Sequence, residues 1–282
     1  MLRFAYNTNG CADHRLDDAL ELIAEAGYSG VALTLDWHHL DPFADGYEEK
    51  AAALAERLRA LDLDIIIETG AGYLMDPRER HEPTLLHPST EGRARRLDLI
   101  RRAIRICQIC NGQAVNFFSG RQRRNVSQAN AGMWLLDGLA QIVEAGAEAG
   151  VAVALEPAPG HLVATLDDFI LVRDALKQAT SAPLKLSLDV GHCLVTNERE
   201  PHFAVKEFAT VLGSVTIEDM KRGVHEHLPF GAGDLNIPAV LTALEEIEYQ
   251  GLVSVELPGE TRRAHVAIGE SYDWLQDNLP SD

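Results

Sequence analysis

No stretch of this chain approaches the ~20 consecutive apolar residues that a membrane-spanning helix requires. The N-terminal MLRFAYNTNG also lacks the basic and apolar regions of a secretory leader. Membrane insertion as a helix is excluded, and a cytoplasmic location is the expectation. Cysteine is scarce: Cys11, Cys107, Cys110 and Cys193, four in 282 residues, build no disulfide scaffold. Cys107 and Cys110 spell C-x-x-C, but no second pair completes a zinc site. Both fall in the periodic segment RRLDLIRRAIRICQIC and are read as packing residues on one helix face. Positive charge is short as well: 25 Lys and Arg against 43 Asp and Glu leave a net charge of −18 with histidine neutral. Such a chain repels polyanions at long range, which argues against nucleic acid and anionic membranes as partners.

What is present is a regular alternation of short apolar runs and longer amphipathic ones. Strands are expected at 3–8, 29–35, 63–69, 113–119, 151–156, 184–190, 213–218 and 251–257. Helical periodicity fills about 16–27, 46–61, 90–110, 128–149, 165–179, 202–211, 236–248 and 266–278. Near-continuous apolar strands separated by helices imply a parallel sheet covered on its outer face, and eight such units close into a barrel. The expected fold is α/β, a single (β/α)8 TIM barrel over residues 1–282, with an open doubly wound sheet as the alternative. The loops are lopsided. Helix-to-strand turns such as AGYSG and YQG are short, whereas ten of the eleven histidines (all but His202) lie in or beside strand-to-helix segments. In barrels the C-terminal ends of the strands carry the chemistry.

Three acids stand at those ends: Glu156 closing VAVALE, Asp189 in LKLSLDV and Glu256 in LVSVEL. Burying a carboxylate there is costly without a proton or a cation, so three at equivalent places point to a shared divalent metal (Mn²⁺, Mg²⁺, Co²⁺ or Zn²⁺). The bland alternative is a helix cap or an arginine pair for each. His192 follows Asp189 by three residues and can enter the same mouth. His225 and His227 are expected to diverge in an extended loop, so that one of them reaches the metal. The GAG of 231–233 lacks the dinucleotide spacing and is read as a turn into a helix begun by Asp234 and Pro238. Glu68 ends the third strand and is a candidate for a substrate hydroxyl or for a salt bridge to an inward arginine; His38 beside Trp37 is a candidate substrate contact at the rim, where aromatic faces suit sugar C–H surfaces, or an ordinary loop residue.

The segments ALEPAPG, LDVGHC, VTIEDMKRGVHEHLPFGAGDLN and VSVEL resemble the xylose isomerase-like TIM-barrel superfamily, which includes sugar phosphate isomerases/epimerases and endonuclease IV. The resemblance spans essentially the whole chain. It implies metal ligation by Glu156, Asp189, Glu256 and a strand-seven histidine, proton transfer α to a carbonyl by Glu156 and Glu256, and substrate contact by His192. It allows a homodimer. One position departs: the strand-seven histidine falls at Thr216, leaving His227, His225 or His192 to substitute. His227 is taken as the fourth ligand and His225 as a substrate contact. The endonuclease histidine set is incomplete, since the fourth strand ends NFFSG.

Against the overall charge, cations gather on the same face: Arg78, Arg80, Arg121, Arg123, Arg124, Lys221, Arg222, Arg262 and Arg263. Guanidinium forks suit phosphate or carboxylate, so an anionic sugar or polyol substrate is expected, with Arg222 among its contacts; surface pairing with Glu79, Glu82, Glu226 and Glu260 is the alternative. The leading expectation is a divalent-metal-dependent isomerase/epimerase of a sugar, sugar phosphate or related polyol. The competing ones are a lyase/dehydratase on the same barrel, a phosphodiesterase of endonuclease IV type and a non-catalytic polyol-binding barrel.

Overall fold

Most of the strands, as in VAVALE and LKLSLD, alternate a large apolar residue with a small or polar one, and the two sets part to opposite faces of the sheet. In the computed structural model, which describes residues 1–280, the sheet closes on itself. The elements run β1 (Arg3–Asn7), α1 (Leu16–Glu25), β2 (Gly30–Thr34), α2 (Tyr47–Ala60), β3 (Asp64–Glu68), α3 (Thr90–Ile109), β4 (Ala114–Phe118), α4 (Gln128–Ala149), β5 (Ala152–Glu156) and α5 (Leu166–Leu176). They continue with β6 (Lys185–Asp189), α6 (Val190–Thr196), α7 (Pro201–Glu207), β7 (Leu212–Ile217), β8 (Asp219–Lys221), β9 (Val224–Leu228), α8 (Ile237–Glu246), β10 (Leu252–Val255) and α9 (Ala264–Asp277). Eight parallel strands form a closed barrel in the order β1-β2-β3-β4-β5-β6-β7-β10. The expected eight strands are all found, within two residues at either end. Three elements were not anticipated: the seven-residue α6 and the antiparallel hairpin β8–β9.

The outward side chains, Ile65 and Ile67 of β3, Val115 and Phe117 of β4, Leu186 and Leu188 of β6, and Val253 and Val255 of β10, merge with the helices into one continuous core. Each large apolar side chain so buried contributes about 1.5–3 kcal/mol. Inside the barrel the side chains are smaller and more polar. Ala5, Ala32, Ile66 and Leu252 form a separate apolar plug. Ser214 Oγ donates to Asn116 Oδ1 at 2.7 Å and lies 3.0 Å from Ser187 Oγ, while Asn116 Nδ2 donates to Glu68 Oε1 at 2.6 Å. This satisfied layer closes the barrel floor beneath the strand ends.

Cys107 and Cys110 do pack: their thiols lie against the carbonyls of Ala114 and Ala51, and burial pushes them up to about 12 and about 11. Arg222 and Gly223 form the two-residue turn between β8 and β9, with Gly223 at φ +76°. No helix among the described residues is long and apolar enough to cross a membrane.

Candidate active site

Five carboxylates, not three, crown the barrel. Glu68, Glu156 and Asp189 are the last residues of β3, β5 and β6; Glu218 and Glu256 directly follow β7 and β10. Among the described residues none of the five has a lysine or arginine within 4.0 Å, which removes the arginine-pair alternative. The helix-cap alternative holds for one acid, and for only half of it. Asp189 Oδ1 accepts from the backbone N–H of His192 at 3.1 Å as the N-cap of α6, whereas its buried Oδ2 has no hydrogen-bond partner. Glu256 Oε1 accepts from Asn9 Nδ2 at 2.7 Å.

Glu218 is the most exposed to this electrostatic problem and the least exposed to water. It is fully buried, and neither carboxylate oxygen has a hydrogen-bond partner. Its nearest cationic group is His227 Nδ1 at 3.7 Å. Room for it comes from Gly191, where a Cβ would stand 2.3 Å from Glu218 Oε1 and 2.7 Å from Met220 Cε. Burial first, and then Asp189, push the Glu218 carboxyl well above the usual range; His192 and His227 hold Asp189 below it against its own burial. Without a cation, Glu218 therefore keeps a proton and Asp189 the charge. Burial also raises Glu156 strongly and lifts Glu68 to about 8.

Histidines close the ring of donors. His192 Nδ1 lies 3.0 Å from Pro157 O, which can only accept, so Nδ1 carries the proton. Nε2 is then an acceptor, and His225 Nε2, 3.0 Å away, donates to it. Burial lowers both imidazoles, keeping them neutral. His225 and His227 do not diverge as expected: on strand β9, residues two apart share a face, and their rings sit 5.6 Å apart with both near His192. Burial alone would lower His227, but Glu256, Glu218 and Asp189 raise it to about 10.

Three overlapping groups each bring their donor atoms within 4.8 Å of one another: Glu156, Asp189 and His192; Asp189, His227 and Glu256; and His192, His225 and His227. Carboxylate oxygens with imidazole nitrogens suit a first-row divalent ion or Mg²⁺, and the unpartnered oxygens of Asp189 and Glu218 are what such an ion would satisfy. The residues fit a divalent cation. Thr216 lies in register between Asp189 and Ser254, and His227 of β9 brings an imidazole nitrogen within 4.8 Å of the oxygens of Asp189 and Glu256.

Glu156, His192, His225, His227 and Glu256 line a cavity of about 660 Å³ together with Asn7, Asn9, Thr34, Glu68, Arg80, His81, Glu82, Thr84, Phe118, Arg121 and His161, while Asp189 and Glu218 lie behind its wall. Two expected contacts stand outside it. Arg222, at the hairpin tip, turns to Asn197 Oδ1 at 2.7 Å and Glu200 Oε1 at 3.0 Å. His38 packs between Trp37 and His39, with Asp36 Oδ2 3.7 Å from its Nδ1. Sequence reasoning missed Glu218, His81 and His161. Glu218 was findable, since it is two residues beyond Thr216 on the inward face of β7.

The GAG segment also has a different role. Asp219 Oδ2 accepts from the N–H groups of Gly231 and Gly233 at 3.0 and 2.8 Å, and Oδ1 from Met220 and Leu235 at 3.0 and 3.1 Å. A Cβ at Gly233 would stand 2.3 Å from Asp219 Oδ1, so only glycine lets the loop wrap the carboxylate. Helix α8 starts at Asn236, which caps Ala239 N, rather than at Asp234.

Stability should follow the buried acids. A carboxyl raised in the fold binds protons the unfolded chain has released, so its stabilisation, complete below about 4.5, is lost as pH rises through the folded value, about 8 for Glu68. Metal-free protein should lose urea resistance from pH 5 to pH 8, and the stabilisation by added Mn²⁺ should grow over the same interval. A Mn²⁺ effect that shrinks as pH rises would be the contrary result.

Comparison with known proteins agrees with this architecture. The family model for the xylose isomerase-like TIM barrel matches residues 20–278. The chain is 26% identical over 285 aligned positions to the 2-oxo-tetronate isomerase of Cupriavidus necator, covering 99% of each. Among solved structures it is similar to a D-tagatose 3-epimerase-like protein, with a TM-score of 0.78 and 20% identity over 98% of this chain and 97% of that one. It is similar too to the IolI protein with a zinc atom bound, at TM-score 0.75 and 18% identity over 99% and 98%. The closed eight-stranded barrel and the matched length together place this chain in the xylose isomerase-like TIM barrel family.

Proposed function

We propose that this protein is an isomerase or epimerase of a small sugar or sugar acid, with Glu156 and Glu256 as the paired groups that move a proton next to a carbonyl. The observation that carries it is their placement. They rise from β5 and β10, which are separated in the ring by β6 and β7, line the same cavity, and have no cationic side chain to neutralise them other than histidine. Two carboxylates converging from separate strands can take a proton from one side of a substrate carbon and return it on the other. Full-length similarity to a 2-oxo-tetronate isomerase, and the structural likeness to an epimerase-like protein, support the reading.

The roles divide by environment. Asn9 holds Oε1 of Glu256, which leaves Oε2 to exchange the proton. His192 Nδ1 stands 3.4 Å from Glu156 Oε1 and sets the orientation of that acid. Glu68, raised to about 8, is protonated at neutral pH and donates to a substrate hydroxyl. Both ring nitrogens of His192 are taken, by Pro157 O and by His225, which leaves Nδ1 of neutral His225 to accept from a substrate hydroxyl. Asp189, Glu256, His227 and Glu156, with Glu218 beside them, would hold a divalent cation. When bound, such a cation polarises the carbonyl and the neighbouring hydroxyl oxygen. The zinc atom bound in the similar IolI protein supports a divalent cation as a cofactor here.

The test is turnover of four- to six-carbon ketoses and 2-keto sugar acids in D₂O, with and without chelator. Product should carry solvent deuterium at one carbon, and chelation should abolish conversion. Conversion without label would reject proton exchange; loss of water from the substrate would favour a lyase.

A further inference from the structure

The cavity is electrically two-sided. Most of the donors that could hold a metal come from one side, Glu156 of β5, His192 of α6, His225 and His227 of β9 and Glu256 after β10, with Glu68 at the end of β3 beside them. Its other wall comes from the end of β4 and the loops after β3, β4 and β5 and presents Arg80, His81, Phe118, Arg121 and His161, with Glu82 there already paired to Arg123. The arginines of this face sort themselves by what they touch. Arg123 is spent on Glu79 and Glu82, Arg222 on Glu200, and Arg263 on Glu260 and Glu270. Arg78, Arg124, Lys221 and Arg262 do not line the cavity. Arg80 and Arg121 do, and among the described residues neither has a carboxylate within 4.0 Å. In a chain of net charge −18, two cavity-facing guanidinium groups left without an acid are unusual, because surplus carboxylates abound.

The wall behind them is built to hold its shape. The Phe118 ring lies between His81 and His161, with centroids 5.2 and 4.9 Å away, both edge-on. Nδ1 of each histidine is buried without a hydrogen-bond partner. His81 has φ +66°, a left-handed conformation uncommon outside glycine. Arg96, only 2% exposed, fixes it from below, donating to the carbonyls of Thr69, Pro83 and His81 with its guanidinium 5.3 Å from the Phe118 centroid.

We infer that Arg80 and Arg121, with His81 and His161 beneath them, form an oxyanion subsite that takes the charged terminus, carboxylate or phosphate, of a short sugar whose carbonyl end lies at the carboxylate group. This rests on the isomerase/epimerase reading for the role of the bound sugar. Guanidinium forks suit either oxyanion, and the acid cluster, which among the described residues has no lysine or arginine within 4.0 Å, offers a negative terminus no guanidinium partner in the reverse orientation. The orientation in which such a sugar binds is thereby set by charge.

Binding, not turnover, tests it. Affinities of three probes are measured calorimetrically in the presence of Mn²⁺, for wild type and for Arg80→Met/Arg121→Met: D-threonate, D-ribulose 5-phosphate and the uncharged D-erythrulose. Both side chains are exposed, and methionine keeps the apolar stem. The ratio of charged-probe to erythrulose affinity should fall about tenfold or more in the double variant, as befits loss of charge-assisted hydrogen bonds. Wild-type affinity for the charged probe should also weaken as salt rises. Selective loss for threonate assigns a sugar acid and selective loss for the phosphate a sugar phosphate; either upholds the subsite. An unchanged ratio, equal losses for all three probes, or no binding of either charged probe to wild type overturns it. Failure of deuterium exchange would reject the isomerase reading while leaving these affinities as they stand.

Discussion

Glu256→Gln is expected to lower kcat for isomerisation by about 10²- to 10⁴-fold, the range over which a positioned general base contributes. Solvent deuterium incorporation should fall in step. Glutamine keeps the shape and the contact with Asn9, whose Nδ2 now donates to the Glu256 carboxylate, but it cannot accept the proton. Glu156→Gln should cost a comparable amount. The double variant should be little worse than either single one, because residues that act as one unit are not additive. Metal content measured in parallel separates loss of the base from loss of a ligand. If Glu256→Gln keeps activity within a few-fold of wild type, the paired-carboxylate assignment is wrong.

The second large effect belongs to Glu218. Its oxygens are buried without a hydrogen-bond partner, and Gly191 leaves the space they fill. Glu218→Gln should weaken divalent-metal affinity by at least about 10- to 100-fold, the loss already typical of groups that only orient ligands. The same substitution should make the metal-free protein more resistant to urea at pH 8. There the native carboxyl, raised well above its ordinary 4.5, is progressively forced toward an uncompensated charge. Opposite movements of the two observables are the signature of a carboxylate kept for a cation. Metal affinity unchanged in the variant would place Glu218 outside the coordination sphere.

Most of the barrel was legible because periodicity reports burial. Residues such as Ile65, Ile67, Val253 and Val255 must face the helices, and that requirement writes the strands into the sequence. The acids at 156, 189 and 256 were legible because a charge at the end of an apolar run is costly. Glu218 is less legible because it stands one residue beyond the end of β7, past Thr216, where the resemblance places an imidazole. Helix α6 escaped because VGHCLVT is short and apolar, so it reads as an extension of β6. The hairpin β8–β9 escaped because β8 is only three residues long and β9, which carries His225 and His227, is largely exposed and too polar to read as a core strand. Arg222 was misplaced for that reason, since a residue at a hairpin tip points away from the barrel. Nothing periodic announces His81 and His161, which tertiary packing around Phe118 brings together.

Four backbone N–H groups converging on Asp219 have a consequence for how such a protein can change over generations. The ribbon bearing two of the imidazoles pairs in sheet only with itself, and besides Arg222 at its tip its chief pin is one side chain, Asp219. Releasing that pin would set the imidazoles adrift while the eight-stranded cylinder stayed whole. Coordination chemistry and architecture are thus separately mutable, and an ancestor could trade an imidazole on the seventh barrel strand for one on the ribbon without rebuilding its frame.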